Sequence, residues 1–219
     1  MAVTVVNPDH RPPPPSTVEE PTVFGVEGMD QAYFFGALLR YLGLDGVVWN
    51  LKGKSEYKKR LTALKQTTGF EQNVVSLGVV RDADDNAAAA FESVQGALRA
   101  AQLPVPEHPL EPIGDAPQVT VMVLPGQGEP GMLENLCLKA VEGDPAMVCV
   151  NRYFECLKQE NVPLPRNRAK ANLQVFLASR KKVALRVGEA AQAKVWPWEG
   201  QAFGEVKRFL QLVCSRPEG

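Results

Sequence analysis

The chain has 219 residues, 45% of them hydrophobic and 22% charged, with a formal net charge of −1. That length suits one large domain or two small ones and can bury a core without disulfide or metal staples. Near-neutral charge excludes a global pull toward polyanions or membranes, so such a partner must be met by local clusters.

Residues 1–20 read as a flexible arm, in which Pro12 to Pro15 favour extended polyproline backbone. From residue 21 the hydrophobic period alternates. Thr22–Val26 is a short apolar run suited to a strand buried on both faces. Asp30–Leu42 then carries Tyr33, Phe34, Ala37, Leu38, Tyr41 and Leu42 at helical spacing, and Gly43 stops it. Val47–Leu51, Val74–Val80 and Val119–Leu124 are three further strands, and helices over Ser55–Thr67 and Asn86–Ala101 separate them. The alternation predicts an α/β fold: a mostly parallel four-stranded, Rossmann-like sheet flanked by helices, spanning residues 21–130. After Gly131 the pattern is helical, over Met132–Val141, Ala146–Glu160, Arg168–Ser179 and Gly204–Cys214. No long linker intervenes, so residues 131–219 are expected to pack on the sheet as an extension of the same domain.

Cys137, Cys149, Cys156 and Cys214 include no CxxC pair, and only His10 and His108 could complete a zinc site. This argues against structural zinc and for buried free thiols in a reducing compartment. The first fifteen residues lack the basic start and apolar stretch of a secretory leader. No run approaches the ~18 apolar residues of a membrane helix. The expected setting is cytoplasmic. The tryptophans Trp49, Trp196 and Trp198 read as packing anchors rather than stacking platforms.

In an open parallel sheet, ligands bind beyond the carboxyl ends of the strands. Glu27 follows the first strand, Asp82, Asp84 and Asp85 follow the third, and Glu129 and Glu134 follow the fourth. Extended backbone turns residues i and i+2 the same way, so Asp82 and Asp84 are expected to share a target while Arg81 and Ala83 face away. Carboxylates held close resist joint ionisation, and a divalent cation relieves them. Mg²⁺ or Mn²⁺ suits such oxygen donors. Asp30 and Asp85 read first as helix caps and only secondarily as ligands, with Glu129 a further secondary position.

"VEG" at residues 26–28 and "DAD" at residues 82–84 resemble the TOPRIM domain of primases, topoisomerases and related nucleases. The resemblance implies a compact parallel α/β core, acid/base work for Glu27 in phosphoryl transfer, and Mg²⁺ bound by Asp82 and Asp84. The whole chain, with "GMLENL" and "WPWEGQAFGEVKRFL", also resembles a stand-alone, mostly bacterial TOPRIM-like family without assigned function. It lacks GxxxxGK[ST], and Asp30 stands three residues after Glu27 where primases have an acid at four. Metal ligands are thus expected at Asp82, Asp84, Glu27 and Glu134.

Two basic clusters suit phosphate. Lys52, Lys54, Lys58 and Lys59 lie in the first; Arg166, Arg168, Lys170, Arg180, Lys181 and Lys182 lie in the second. The expected activity is Mg²⁺-dependent, nuclease-like phosphodiester or phosphoryl-transfer chemistry on nucleic acid or a nucleotide. The alternative is a non-catalytic binding or regulatory module that works through a partner.

Overall fold

A computed structural model of the chain describes residues 3–7, 17–183 and 185–215. Five strands form one sheet: β1 (Val3–Val6), β2 (Thr22–Val26), β3 (Gly46–Asn50), β4 (Ser76–Asp82) and β5 (Gln118–Leu124). Their order is β1-β3-β2-β4-β5, and every neighbouring pair is parallel. The fold is therefore the expected α/β class with one strand more than the four read from the sequence.

The extra strand corrects the expected arm. Val3–Val6 pairs with Gly46–Trp49 at the sheet edge. Its β-branched residues serve both faces: Val6 is buried, and Val5 lies where a Cβ on Gly36 of the first helix would meet it at 3.1 Å. The stretch Pro12–Pro15 lies outside the described residues.

The strand residues divide by parity between two cores. Phe24, Val26, Val48, Val80 and Met122 face one way, and Val23, Val47, Leu77, Val79 and Val121 face the other. The second face is covered by α2 (Tyr57–Lys65), the short α3 (Phe70–Asn73) and α4 (Ala87–Ala100). The first face is covered by α1 (Met29–Leu42), α5 (Leu133–Ala140), α6 (Ala146–Gln159), α7 (Arg168–Ala178), α8 (Val187–Gln192) and α9 (Gly204–Cys214). The C-terminal helices and the sheet thus share a core. Gly78 shows how closely: a Cβ there would sit 2.8 Å from both Phe209 of α9 and Phe24 of β2.

Trp196 and Trp198 are buried in that core, and Trp198 stacks edge-on to Phe34 with ring centres 5.2 Å apart. The cysteines depart from expectation. All four are free, but Cys149 and Cys156 are exposed, because α6 buries only Val150 and Phe154. Among the described residues, no helix is long and apolar enough to cross a membrane.

Candidate functional site

The chain reverses direction across the sheet between β2 and β4: β2 leads to β3 on one side, and β4 leads to β5 on the other. In open α/β sheets this reversal leaves a crevice at the carboxyl edge. Glu27 directly follows β2 and Asp82 ends β4, so both flank it.

Register then decides which side chains meet. Gly25 is opposite Val79, so the next pair on that face is Glu27 and Arg81. Arg81 donates through Nη1 to Glu27 Oε2, and the same oxygen accepts the Asp82 N–H at 3.3 Å. Arg81 also reaches Asp84 Oδ2 through Nη2 at 3.3 Å. The expectation that Arg81 faces away from both aspartates thus holds for Asp82 and is overturned for Asp84. Arg81 points away from Asp82, as alternation requires, and toward Glu27, which shares its parity.

Asp84 departs from expectation for a second reason. It has φ 51, a left-handed conformation that breaks the strand alternation. Its backbone is clamped to the turn before α5: the Asp84 N–H donates to Gly131 O at 2.8 Å, and the Gly131 N–H returns to Asp84 O at 2.6 Å. Its carboxylate accepts Lys54 Nζ at 3.0 Å. Asp82 looks the other way, and its Oδ1 accepts the N–H of Leu133, the first residue of α5, at 3.1 Å. The two aspartates do not aim at one point.

The electrostatics follow. Burial pushes Asp82 up to about 8, with Glu27 and then Glu134 adding to the rise against the Leu133 amide. Burial also raises Asp84, but Lys54 and Arg81 together outweigh it and hold the carboxyl below its ordinary value. Glu134, one residue beyond that amide, is raised chiefly by burial, and Lys170 at 3.8 Å offsets part of it. Arg81 is buried on Tyr57, whose ring centre is 5.9 Å from the guanidinium carbon. Burial lowers Arg81, but Glu27, Tyr57 and Asp84 outweigh it and raise it further.

The secondary acids take other work. Gly28, not Asp30, occupies the cap position of α1; Asp30 instead accepts the Gly188 N–H at 3.4 Å and ties α1 to α8. Asn86 caps α4 through the Ala89 N–H at 3.0 Å, which leaves Asp85 exposed in the turn. Glu129 pairs with Lys139 at 3.9 Å, and both line a cleft on the side of α5 facing Glu205.

The basic residues are redistributed as well. Lys54, Arg166 and Arg168 converge on one open cleft of about 460 Å³, whose walls include Asp84, Asp85 and Met132. Arg180 is taken by Asp144 at 3.0 Å and lies over the Phe176 ring. Lys181 and Lys182 follow α7, whose eleven residues hold them about 16 Å along the helix from Arg168. The second basic run is therefore not one patch. Lys58 and Lys59 are exposed on α2, while Lys52 lies near Arg60 and is lowered by burial and by that guanidinium.

Among the described residues, no three His, Cys, Asp or Glu side chains are grouped to hold a metal ion. Arg81 stands between Glu27 and Asp84, and Asp84 turns from Asp82. The arrangement fits Mg²⁺ in its more economical form, in which one or two carboxylates are completed by waters and substrate phosphate. Of the acids at this edge, Asp82 and Glu134 are both raised by burial, and Glu27 and Glu134 add to the rise of Asp82. Asp82 is a half-buried acid that burial, then Glu27 and Glu134, push up, and among the described residues no cation pairs with it.

These features define a class: an all-parallel α/β protein carrying acids and bases together at its strand-reversal edge. The chain belongs to the DUF3226 family, described as a protein of unknown function, whose family model matches residues 21–215. No curated protein and no solved structure matches it.

Proposed function

We propose that the strand-reversal edge binds a divalent cation, Mg²⁺ or Mn²⁺, together with a phosphate-bearing ligand, nucleic acid or nucleotide, and carries out phosphodiester or phosphoryl-transfer chemistry. The observation that carries this reading is the meeting of Glu27 and Asp82 at the carboxyl ends of adjacent parallel strands, with Glu134 close enough to add to the rise of Asp82. Asp82 and Glu134 hold the cation. When bound, it neutralises charge developing on phosphate oxygens. Glu27, steadied by Arg81 and the Asp82 N–H, is the group placed to move a proton. The resemblance of "VEG" and "DAD" to the TOPRIM domain supports the same chemistry. The four unpaired cysteines suit a reducing, cytoplasmic setting.

One observation favours a second reading. Arg81 already neutralises Glu27 and Asp84, as a module that binds ligand without turning it over requires. Titration with Mn²⁺, followed by the electron paramagnetic resonance of the free ion, tests the cation site. Wild type should bind, and Asp82→Asn should weaken binding about tenfold or more, the loss of one charged ligand. No binding at millimolar metal sinks the site. Cleavage of DNA, RNA and nucleotides then separates the readings: activity lost in Glu27→Gln supports the enzyme, and binding without turnover supports the module.

A further inference from the structure

We propose that the cleft between Lys54 and the start of α7 receives a phosphate group of the ligand, and that Lys54 exchanges Asp84 for that phosphate. The inference rests on the reading above only for the ligand's class.

Three cations reach the cleft from two segments far apart in the chain, Lys54 from one and Arg166 and Arg168 from the other. Among the described residues, Arg166 pairs with no carboxylate and is exposed. Arg168 lies over the Phe154 ring at 4.3 Å, which orients its guanidinium without neutralising it. Two uncompensated guanidinium groups on one rim suit a phosphate, which arginine recognises through parallel N–H bonds. The first amides of α7 are not the attraction, since Asn167 Oδ1 already accepts the Lys170 N–H at 2.9 Å.

Lys54 sits at the junction. Its side chain is 65% exposed and pairs at 3.0 Å with the same Asp84 oxygen that Arg81 approaches at 3.3 Å. When Lys54 leaves, Asp84 keeps a cation. An exposed ammonium–carboxylate pair is weak, and a charge-assisted bond to phosphate replaces it. Asp84 therefore acts as a placeholder for the incoming anion. It also opposes that anion until Lys54 moves.

The test uses the whole protein in chelator, so that no cation contributes. The probes are a fluorescent, 5′-phosphorylated single-stranded oligonucleotide and a nucleoside monophosphate, measured at several salt concentrations. Binding should weaken steeply with salt. Arg166→Ala with Arg168→Ala should weaken it about tenfold or more, as loss of two phosphate contacts does. Asp84→Asn should tighten it about fivefold, the worth of the exposed pair it removes. Asparagine adopts φ 51 readily, so the turn survives. That gain should vanish on a Lys54→Met background.

An equal gain with and without Lys54 overturns the exchange, because the effect is then simple relief of repulsion. Binding untouched by the double arginine change overturns the cleft, and binding of neither probe at low salt overturns both. Oligonucleotide bound without monophosphate identifies a backbone diester as the source, while both bound shows that an isolated phosphate group suffices. Mn²⁺ titration of the same protein tells separately whether the cation reading stands.

Discussion

The two sides of the strand-reversal edge use the same residue types to opposite effect. On the α4 side, Lys54, Asp84, Arg81 and Glu27 form a chain that alternates in sign, with Arg81 its most buried member. On the α5 side, Asp82 and Glu134 lie together, and among the described residues the one cation paired with either is Lys170, at 3.8 Å from Glu134. Asp82 and Asp84 are two residues apart, yet one is pushed up to about 8 and the other held below its ordinary value. A single left-handed residue sends them to different neighbours. Charge state here is a property of backbone geometry more than of residue type.

The largest expected effect lies on the α5 side and depends on pH. In the folded chain Asp82 keeps its proton to about 8, whereas unfolded it releases it near 3.8. Between those values the folded state binds more protons, so stability falls as pH rises and levels off above about 8. Asp82→Asn can still accept the Leu133 amide but carries no proton to lose. Its stability advantage over wild type should grow through that window, to at most about 6 kcal/mol from the size of the rise. Urea unfolding at pH 5 and pH 8.5, both in chelator, measures it. Parallel pH profiles would remove Asp82 as the uncompensated acid.

The α4 side should respond with the opposite sign. Arg81→Met leaves Glu27 and Asp84 without their shared cation and should cost about 3 kcal/mol at pH 7, as breaking a buried pair from one side does. Arg81→Lys keeps the charge but not the fork, and should recover only part. Equal unfolding midpoints for wild type and Arg81→Met would break the contrast, since the alternating chain would then hold nothing in place.

Most of the sheet was legible because parity and period are local. Thr22–Val26 and the three later apolar runs became β2 to β5 within two residues of their expected bounds. Val3–Val6 was hidden by its neighbours: the prolines that follow read as an arm, and only pairing with β3 makes the segment a strand. Glu27 and Asp82 were legible at the carboxyl edge, as ends of strands that prove adjacent. The role of Arg81 needed the register of β2 against β4, although equal parity with Glu27 was a signal available in the sequence. The turn at Asp84 was not available, because the Gly131 clamp that fixes it comes from the other side of β5. Convergence of Lys54 with Arg166 and Arg168 is likewise tertiary, and the acids that occupy Arg180 and Lys170 lie outside the basic run.

The smallest expected effects come from two matched surface lysines, one on each side. Lys54 and Lys170 are 65% and 58% exposed, and each contacts one carboxylate. Either replacement by Met should change stability by less than ~1 kcal/mol, because exposed pairs are screened. Carboxyl titrations followed by NMR should nevertheless separate them. In Lys54→Met, Asp84 retains Arg81 and should stay ionised at neutral pH. In Lys170→Met, Glu134 loses the cation that offsets its burial and should move further up from an already raised value. A Lys54→Met change as costly as Arg81→Met would show that the alternating chain is held from its exposed end. The distinction between a compensated and an uncompensated side would then fail, since a lysine in solvent would be doing the work assigned to a buried guanidinium.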